Sequence, residues 1–516
     1  MTNEELLTIS SLPNAAIIAP AGHGKTEMIA DIVEHSSRRQ LLLTHTNAGV
    51  DAISKRLKKR NISKDKYTVT TIAAFCIKWC LSYDNSSHID KTLSPLEKSQ
   101  VKKYYEQMYS GAKSIFECQW AGKVLCATYG GVIVDEYQDC VQEQHEIFVS
   151  INRFLPVIVL GDPMQGIFSF AGKLVDWNTL PFTLVDVKTR PWRWAKANPQ
   201  LGDYFSVVRS SLSPILDGKS CSIEIDSCNG SIEIIAPDKF NGYSLLKEFK
   251  QYENVVMITQ WSNKQLQLCS QMPGFFQYDE TQECNELFEF AEMFDSKSDA
   301  ELYYAILKFV HSCATGVTAE LASYIKRLQN NSFDFSRITK HSEFGELLFD
   351  AKGETKLNGI LKILNWFDDN SSLFKLYRAE LFYEMIRSIK FAYNNDTSIF
   401  DAANRLRKDV SLQKRYSDFK YLSSRTLLSK GLEFDCVIID MTTPLSAKDF
   451  YVAMTRAMKK NILFPTLISF LSANNKIASL RIKIFVLAPG GAFFVIWTYN
   501  HLSFSSALRS LSIASR

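Results

Sequence analysis

The sequence predicts an α/β fold in which two parallel sheets, flanked by helices, carry helical insertions. Short apolar runs recur and end in polar or glycine-bearing turns, as do strands that are buried on both faces of a parallel sheet. These runs are AAIIAP, LLLTHT, GVIVDE, PVIVLGD, NVVMIT and CVIIDM. Helical patterns such as KTEMIADIVEHS and NAGVDAISKRLKKR follow them, and this alternation is typical of crossover helices between parallel strands.

The spacing of the apolar runs predicts two domains. One group lies before about residue 185, and the other is split between residues near 231–262 and residues near 434–460. Helix-rich insertions then fill the long gaps between strands. The expected units are a first domain over 1–190 with an insertion near 76–119, a second domain over 191–470 with an insertion near 271–417, and a C-terminal tail over 471–516.

Composition excludes several classes of protein. A chain of 516 residues with a net charge of only +4 would have to hold a nucleic acid by a local basic track. The eleven cysteines include no paired C-x-x-C knuckles, which argues against zinc or iron–sulfur sites and fits a reducing cytosol. The N-terminus lacks a signal-peptide pattern, and no apolar stretch reaches the roughly 18 residues of a membrane span. We therefore expect a cytoplasmic protein with no membrane contact.

The last part of the chain has an unusual composition. From Phe450 to Arg516 there is no Asp or Glu. Within this segment, RIKIFVLAPGGAFFVIWTY has two apolar runs around a Pro-Gly-Gly turn, which favours a hairpin. The alternative is that the tail is not native sequence and arises from a shifted reading frame or a fusion.

The segment AIIAPAGHGKT predicts a phosphate-binding loop. A buried strand followed by a glycine-bearing turn and a helix directs backbone N–H groups at an anion. Gly22, His23 and Gly24 would form the loop, Lys25 would neutralise phosphate charge, and the Thr26 hydroxyl would bind Mg²⁺. Ala19 stands where the usual motif has its first glycine, and a small residue fits there if its φ is negative.

The segment GVIVDEYQDC predicts the partner site for that loop. Asp135 and Glu136 follow an apolar strand and so lie at the carboxyl edge of the sheet, where ligands of such folds bind. A carboxylate on Mg²⁺ and a neighbour that orients water are the groups that nucleotide hydrolysis requires. The alternative, an acidic surface turn, would not follow a fully apolar strand.

These residues carry a resemblance to a known family. Asp135 to Asp139 closely resemble the D-E-F-Q-D box of UvrD/Rep-type superfamily 1 DNA helicases. Other boxes follow in the family's order over about residues 15–462. They are TVTTIAAF at Thr71, VIVLGDPMQGIFSFAG with Gln165, Phe168 and Phe170, LSKGLEF with Glu433, and YVAMTRA with Arg456. The resemblance implies two RecA-like P-loop domains with ATP between them.

The resemblance also implies roles for single residues. Lys25 and Thr26 hold phosphate and Mg²⁺, Asp135 coordinates Mg²⁺, and Glu136 is the general base. Gln165 couples the γ-phosphate to DNA, Glu433 contacts the ribose, and Arg456 is the arginine finger. In VKTRPWRWAK, Trp192 matches the aromatic that stacks on adenine and Arg193 matches an arginine on the γ-phosphate. Arg190 is a competing candidate for that arginine, and both tryptophans could instead be core residues.

For single-stranded DNA, the resemblance implies stacking rings and phosphate contacts. Phe168 and Phe170 stand where the family has a tyrosine and a tryptophan, and His45 replaces a phenylalanine. Thr46, Asn47 and Thr71 are matched to phosphate or base contacts. The run KRLKKR at 55–60 either extends a basic track or is a solvated helix end favoured by the helix dipole.

Three functions follow from these patterns. The preferred one is a DNA-dependent ATPase that moves 3′ to 5′ on single-stranded DNA and unwinds duplex. The second is a DNA-sensing ATPase subunit that licenses a separate nuclease, since compact helicase-like subunits of bacterial anti-phage systems such as Gabija are similar in size and motif order. The third is a DNA-binding scaffold with an inactive ATP site, which the intact Lys25, Asp135, Glu136, Gln165 and Arg456 argue against.

Overall fold

The computed structural model of the chain describes most of its residues. They are 1–90, 92–93, 100–168, 172–225, 228–235, 249–272, 275–279, 284–410, 419–442, 445–465, 482–487 and 492–497. Two six-stranded parallel sheets organise this part of the chain. The predicted α/β fold class with two RecA-like sheets is therefore confirmed.

The first sheet has the strand order β3-β2-β4-β5-β1-β6. Its strands are β1 (Asn14–Ile18), β2 (Gln40–Thr44), β3 (Tyr67–Thr71), β4 (Gly131–Val134), β5 (Val157–Gly161) and β6 (Leu184–Val185). Every residue of β2, β4 and β5 is buried, which explains why these segments read as continuous apolar runs. Because the strands are parallel, their carboxyl ends meet at one edge of the sheet, and the candidate site lies there.

Helices connect and cover this sheet. They are α1 (Asn3–Ser11), α2 (Lys25–His35), α3 (Asn47–Lys59), α4 (Ile72–Ser82), α5 (Asp84–Ser87), α6 (Val101–Glu117), α7 (Gln119–Thr128) and α8 (Gln142–Ile151). Helices α4 to α7 all lie between β3 and β4. Their apolar side chains pack with those of the sheet in one core, which includes Phe75, Phe116 and Val132.

The second sheet has the order β10-β11-β9-β12-β13-β8. We number β7 (Cys221–Ile225), which lies outside this sheet, and then β8 (Ile232–Ile234), β9 (Val255–Thr259), β10 (Gln277–Tyr278), β11 (Tyr421–Arg425), β12 (Phe434–Met441) and β13 (Ala457–Pro465). We call the first sheet with α1 to α8 the first unit, and the second sheet with the helices that follow the second unit. The second unit begins with helix α9 (Pro199–Leu212), and α10 (Ser262–Gln271) follows β9. Strand β11 was not predicted from the sequence, because YLSSR has too few apolar residues to stand out.

A helical module follows β10 and returns to β11. It contains α11 (Asn285–Ser296), α12 (Asp299–Cys313), α13 (Val317–Gln329), α14 (Ser342–Lys352), α15 (Lys356–Asp369), α16 (Ala379–Asn395) and α17 (Ile399–Val410). The module has its own apolar core, in which Phe294, Phe309 and Phe382 are fully buried. After β11, the short α18 (Thr426–Ser429) and then α19 (Ala447–Met454) complete the second unit.

Two strands near the end of the chain form the hairpin that the sequence favours. Strands β14 (Ile482–Leu487) and β15 (Ala492–Trp497) pair antiparallel, and β14 also pairs antiparallel with β7. The other residues of the tail after 465 lie outside the described residues. Among the described helices, none has the length and apolar character that crossing a membrane requires.

Candidate functional site

The loop between β1 and α2 has the backbone of a phosphate-binding loop. Gly22 and Gly24 have φ values of 70° and 87°, in the left-handed region that favours glycine. Gly24 caps α2 without a side-chain hydrogen bond, so no capping side chain occupies the N–H groups that would face an anion. Ala19 instead extends the strand, because its N–H donates to the Gly161 carbonyl at 2.9 Å. This position therefore does not require glycine.

Two tryptophans lie against the loop glycines. A Cβ atom on Gly22 would come within 2.6 Å of the Trp194 ring, and one on Gly24 would lie 3.3 Å from Trp192. Trp194 is buried and its Nε1 donates to the Ala457 carbonyl at 2.6 Å. Trp192 is 52% exposed. Of the two tryptophans, Trp194 is therefore a core residue, whereas Trp192 lies at the surface beside the loop.

Arg190 and Arg193, which flank Trp192 in the segment VKTRPWRWAK, have different surroundings. The Arg190 guanidinium carbon lies 3.3 Å from the centroid of the Trp192 ring. The Arg193 N–H donates to the Gly22 carbonyl at 3.0 Å, and its Nε lies 2.7 Å from Glu433 Oε1. Arg193 therefore joins the phosphate loop to the second unit, whereas Arg190 covers the exposed aromatic ring.

His23, the remaining loop residue, is buried. Its Nδ1 lies 2.9 Å from Thr189 Oγ1. Burial lowers the pKa of His23 to about 4, so the ring is neutral at physiological pH. The ring of His23 therefore brings no positive charge to a bound phosphate.

Asp135 and Glu136 lie where β4 ends, opposite the phosphate loop. The Asp135 carboxylate accepts from the Glu136 N–H at 2.9 Å, and Glu136 has φ of 54°. A non-glycine residue in this strained conformation is characteristic of functional sites. Glu136 Oε1 lies 3.4 Å from Lys25 Nζ, and its Oε2 accepts from Gln138 at 2.5 Å. The fold thus brings the predicted lysine and the predicted base together.

The two carboxyl groups differ in their electrostatics. Burial and, to a smaller extent, the charge of Glu136 raise the pKa of Asp135 to about 7. Burial also acts to raise the pKa of Glu136, but Lys25 and Lys430 outweigh it and lower that pKa to about 2. Glu136 is therefore the carboxylate that the surrounding cations keep ionised.

The donors at this edge fit a magnesium nucleoside triphosphate. Thr26 is the second residue of α2, Asp135 is 7% exposed, and the Lys25 side chain is 10% exposed. Mg²⁺ prefers oxygen ligands and binds through one or two carboxylates together with substrate phosphates. A hydroxyl, a carboxylate and an ammonium group beside a helix N-terminus form such a donor set.

Gln165 connects the two units. Its side chain is buried and its Nε2 donates to Asp162 Oδ2 at 3.1 Å. Its Oε1 accepts from an Arg456 Nη at 3.4 Å. Its backbone carbonyl accepts from Lys430 Nζ at 2.6 Å. The predicted γ-phosphate sensor and the predicted arginine finger are therefore in contact across the interface.

Arg456 is a buried cation among neutral acceptors. Its Nε donates to the Val452 carbonyl at 3.0 Å, and an Nη lies 3.4 Å from the Leu432 carbonyl. Burial and, to a smaller extent, the charge of Arg193 lower the pKa of Arg456 to about 9. The side chain is still protonated at neutral pH, and a phosphate oxyanion would stabilise such a desolvated charge strongly.

The predicted DNA contacts are spread along the carboxyl edge of the first sheet. Thr46 and Thr71 are the N-caps of α3 and α4 and accept from the Gly49 and Ala74 N–H groups, and exposed Asn47 begins α3. They follow adjacent strands, β2 and β3, so two helix N-termini lie side by side. Their contact with DNA stays a prediction.

The predicted stacking rings are less open. His45 Nε2 lies 3.5 Å from Cys140 Sγ, and burial lowers the pKa of His45 to about 4. Phe168 is half-buried, with its ring centroid 5.0 Å from Lys430 Nζ. Phe170 lies outside the described residues. Stacking by these rings on DNA bases stays a prediction.

The basic run at 55–60 favours the interpretation as a helix end. Arg56 lies 3.0 Å from Glu27, and Arg60 lies 2.5 Å from Asp31. Both partners belong to α2. Because carboxylates neutralise these two arginines, the run offers less positive charge to a nucleic acid than its composition indicates.

An ion pair between the units was missed in the sequence. Lys430 Nζ lies 2.5 Å from Asp139 Oδ2, and both side chains are buried, with 10% and 4% exposed. Burial raises the pKa of Asp139 to about 6, although Lys430 acts to lower it. Both residues belong to motifs quoted above, so the sequence could have marked each one as a candidate. Neither motif shows that the two residues are partners.

We expect Lys430→Met to destabilise the protein by about 3 kcal/mol at pH 8, because it leaves a buried carboxylate without its cation. The raised pKa of Asp139 means that the native state binds this proton more tightly, so the contribution of Asp139 to stability is fully present below about pH 4 and is lost as pH rises through about 6. Without Lys430, the loss grows and extends to higher pH. The deficit should therefore be smaller at pH 5 than at pH 8, as thermal unfolding would show.

The matched control for this prediction is Asp139→Asn combined with Lys430→Met. The amide has no charge to bury, so the double variant should regain most of the lost stability. Equal stability of Lys430→Met and the unsubstituted protein at pH 8 would contradict the prediction.

The fold and the loop define a P-loop nucleotide-binding protein with two RecA-like units. Residues 3–171 match the family model described as an AAA domain. The chain is also similar to the Gabija protein GajB of Bacillus cereus (strain VD045), with 26% identity over 190 residues. That alignment covers 31% of this chain and 38% of the relative. These matches support a helicase-like ATPase of the P-loop class.

Proposed function

We propose that this protein is an ATP-dependent DNA translocase and helicase of the UvrD/Rep type, which moves 3′ to 5′ on single-stranded DNA and unwinds duplex junctions. The observation that carries the proposal is the contact between Gln165 of the first unit and Arg456 of the second, at 3.4 Å. Gln165 lies beside the strand edge that holds the phosphate loop. The contact supports a γ-phosphate position at which groups from both units act together.

Each residue has a defined part in hydrolysis. Bound Mg²⁺, held by Thr26 and Asp135, would neutralise charge on the phosphates. Lys25 binds the β- and γ-phosphates, and this contact competes with its ion pair to Glu136. Loss of that cation lets the pKa of Glu136 rise, which makes Glu136 a better acceptor for a proton from water.

The second unit supplies the charge that completes the site. Arg456 and Arg193 stabilise the charge that develops on the transferred phosphoryl group. Glu433 pairs with Arg193 at 2.7 Å and is also the proposed ribose contact. Because Arg456 comes from the second unit and Glu433 of that unit pairs with Arg193, hydrolysis depends on closure of the two units, and each turnover can change their relative position.

The proposed DNA path crosses the carboxyl edge of the first sheet. The two capped helix N-termini at Thr46 and Thr71 direct partial positive charge at a phosphate chain. Phe168 connects this path to the ATP site, since its ring lies 5.0 Å from Lys430 Nζ, and Lys430 bonds the Gln165 carbonyl. A strand that moves Phe168 would therefore act on the residue that senses phosphate.

We expect Trp192→Ala to raise the KM for ATP about tenfold and leave kcat within about twofold. Loss of a base-stacking ring costs about 1–3 kcal/mol, and the ring contacts the base in the ground state and the transition state alike. Steady-state hydrolysis with saturating single-stranded DNA measures both constants. Trp192→Phe keeps a stacking face and should stay close to the unsubstituted protein. An unchanged KM in Trp192→Ala would remove this residue from the nucleotide site.

The proposed function is tested by ATP hydrolysis with and without single-stranded DNA, followed by strand displacement. We expect DNA to stimulate hydrolysis and a 3′-tailed duplex to be separated faster than a 5′-tailed one. Hydrolysis that ignores DNA would contradict the translocase. Stimulation without strand displacement, on either tail, would contradict autonomous unwinding.

The second candidate is an ATPase that senses DNA ends or single strands and licenses a separate nuclease in a phage-defence or repair complex. The similarity to a Gabija protein favours it. This candidate predicts DNA-stimulated hydrolysis without strand displacement by the isolated chain. It also predicts that a partner nuclease cuts DNA only when this chain hydrolyses ATP.

A further inference from the structure

Asp162 is a fully buried carboxylate whose two oxygens have different partners. Oδ2 accepts from Gln165 Nε2 at 3.1 Å. Oδ1 accepts from Arg209 Nε at 3.2 Å and from an Arg209 Nη at 2.8 Å. The orientation of the Gln165 amide is therefore tied, through one carboxylate, to the fork of Arg209.

Arg209 comes from the second unit. It lies on α9, and this helix packs Leu201, Phe205 and Val208 into the core that contains the second sheet. The Arg209 side chain is only 18% exposed and the Asp162 side chain is 0% exposed. Both donors reach the same carboxylate oxygen, and charge-assisted hydrogen bonds of this kind are strong. The pair therefore links the two units through a buried carboxylate.

Tyr451 lies beside the same group. Burial raises the pKa of Tyr451 well above its usual value, and the nearby charge of Asp162 raises it too. The Tyr451 hydroxyl accepts from the Ala21 N–H at 3.4 Å. Ala21 belongs to the phosphate loop. The cluster of Asp162, Arg209 and Tyr451 thus touches the loop at one end and Gln165 at the other.

We infer that Arg209 is a positioning residue for ATP hydrolysis, which sets the side chain of Gln165 through Asp162 according to the position of the second unit. This inference rests on the proposed function. Arg209 does not reach the phosphates itself. It holds Asp162 so that the Gln165 amide presents its oxygen to Arg456, and movement of α9 with the second unit turns that amide.

The test is the DNA-stimulated hydrolysis of ATP by Arg209→Gln, alone and in a Gln165→Ala background. We expect Arg209→Gln alone to lower kcat about 30-fold with the KM for ATP within about twofold, because small misplacements at a reacting centre have effects of this order. In the Gln165→Ala background, we expect the same change to lower kcat less than about threefold, since the residue through which it acts is absent. Val207→Ala, at an exposed position of the same helix, is the control for helix integrity.

A purely structural role gives a different result. If Arg209→Gln lowers kcat by the same factor in both backgrounds, or alters KM and not kcat, the inference is overturned. If the unsubstituted protein is stimulated by DNA and Arg209→Gln matches it, only this inference fails. If the unsubstituted protein does not hydrolyse ATP, the proposed function fails and this inference fails with it.

A second variant covers the case in which Arg209→Gln does not fold. Tyr451→Phe removes one hydroxyl and keeps the buried ring. We expect it to lower kcat about fivefold and to lose most of that effect in the Gln165→Ala background. Equal effects in both backgrounds would overturn the inference in this case also.

Discussion

Replacement of Arg456 with alanine is expected to lower kcat for ATP hydrolysis by about 10³-fold or more while ATP still binds. The side chain is buried in the second unit and meets Gln165 at 3.4 Å. Its charge is desolvated, so it interacts strongly with charge that develops on the phosphoryl group. Single-turnover hydrolysis and binding of a fluorescent ATP analogue measure the two effects separately.

Two further variants define what Arg456 contributes. Arg456→Lys keeps a positive charge but loses the planar guanidinium fork, which can donate two hydrogen bonds to one phosphate. Its kcat should therefore remain at least tenfold below that of the unsubstituted protein. Arg405→Ala, at an exposed position of the helical module, should change kcat less than about twofold. Turnover by Arg456→Ala within tenfold of normal would exclude the arginine-finger role.

Glu136→Gln is expected to lower kcat by about 10³-fold, which is within the range for loss of a general base. The amide keeps the shape of the side chain and its contact with Gln138, but it cannot take a proton. It also removes the negative partner of Lys25, which lies 3.4 Å away, so ATP should bind at least as tightly as before. Burst-phase and steady-state hydrolysis, together with nucleotide affinity, test both parts.

The control for this variant is Glu143→Gln, which makes the same change at an exposed position on α8. It should leave kcat within about twofold. Substantial turnover by Glu136→Gln would mean that another group activates water. Loss of nucleotide binding would mean that the variant had damaged the phosphate site, so kcat could then be interpreted only after binding was restored at high ATP concentration.

Much of the site could be predicted from local sequence. The phosphate loop depends on a strand, two positive-φ glycines and a helix that begins at Lys25, and all of these are encoded within a few residues. The same is true of Asp135 and Glu136, since a buried strand that ends in two acids leaves them at the edge of the sheet. Each of these features has its cause nearby in the chain.

Contacts between the units could not be predicted in the same way. Gln165 and Arg456 are 291 residues apart, and so are Asp139 and Lys430. Periodicity and motif spacing describe one segment at a time and do not give the distance between two segments. Arg209 was overlooked for this reason, because nothing within α9 indicates that one of its arginines meets a buried aspartate elsewhere.

Trp192 and Trp194 also show that the sequence alone does not separate a buried residue from an exposed one. Both are aromatic residues in an irregular segment, where no helical or strand periodicity separates an inward from an outward position. Only the packing of Trp194 between Gly22 and the second unit leaves Trp192 at the surface beside the loop. The contact of His45 with Cys140 is likewise one that the sequence does not show.

The sequence by itself determined the two-sheet α/β fold, the phosphate loop and the acidic pair, because short-range hydrogen bonding, backbone conformation and burial of apolar strands produce them. The tertiary structure alone decided which residues of the two units meet, namely Gln165 with Arg456, Asp139 with Lys430, and Asp162 with Arg209. The physical reason is that these contacts depend on the relative position of two sheets that come from different parts of the chain. That position results from many side-chain contacts together and is not encoded in any one segment.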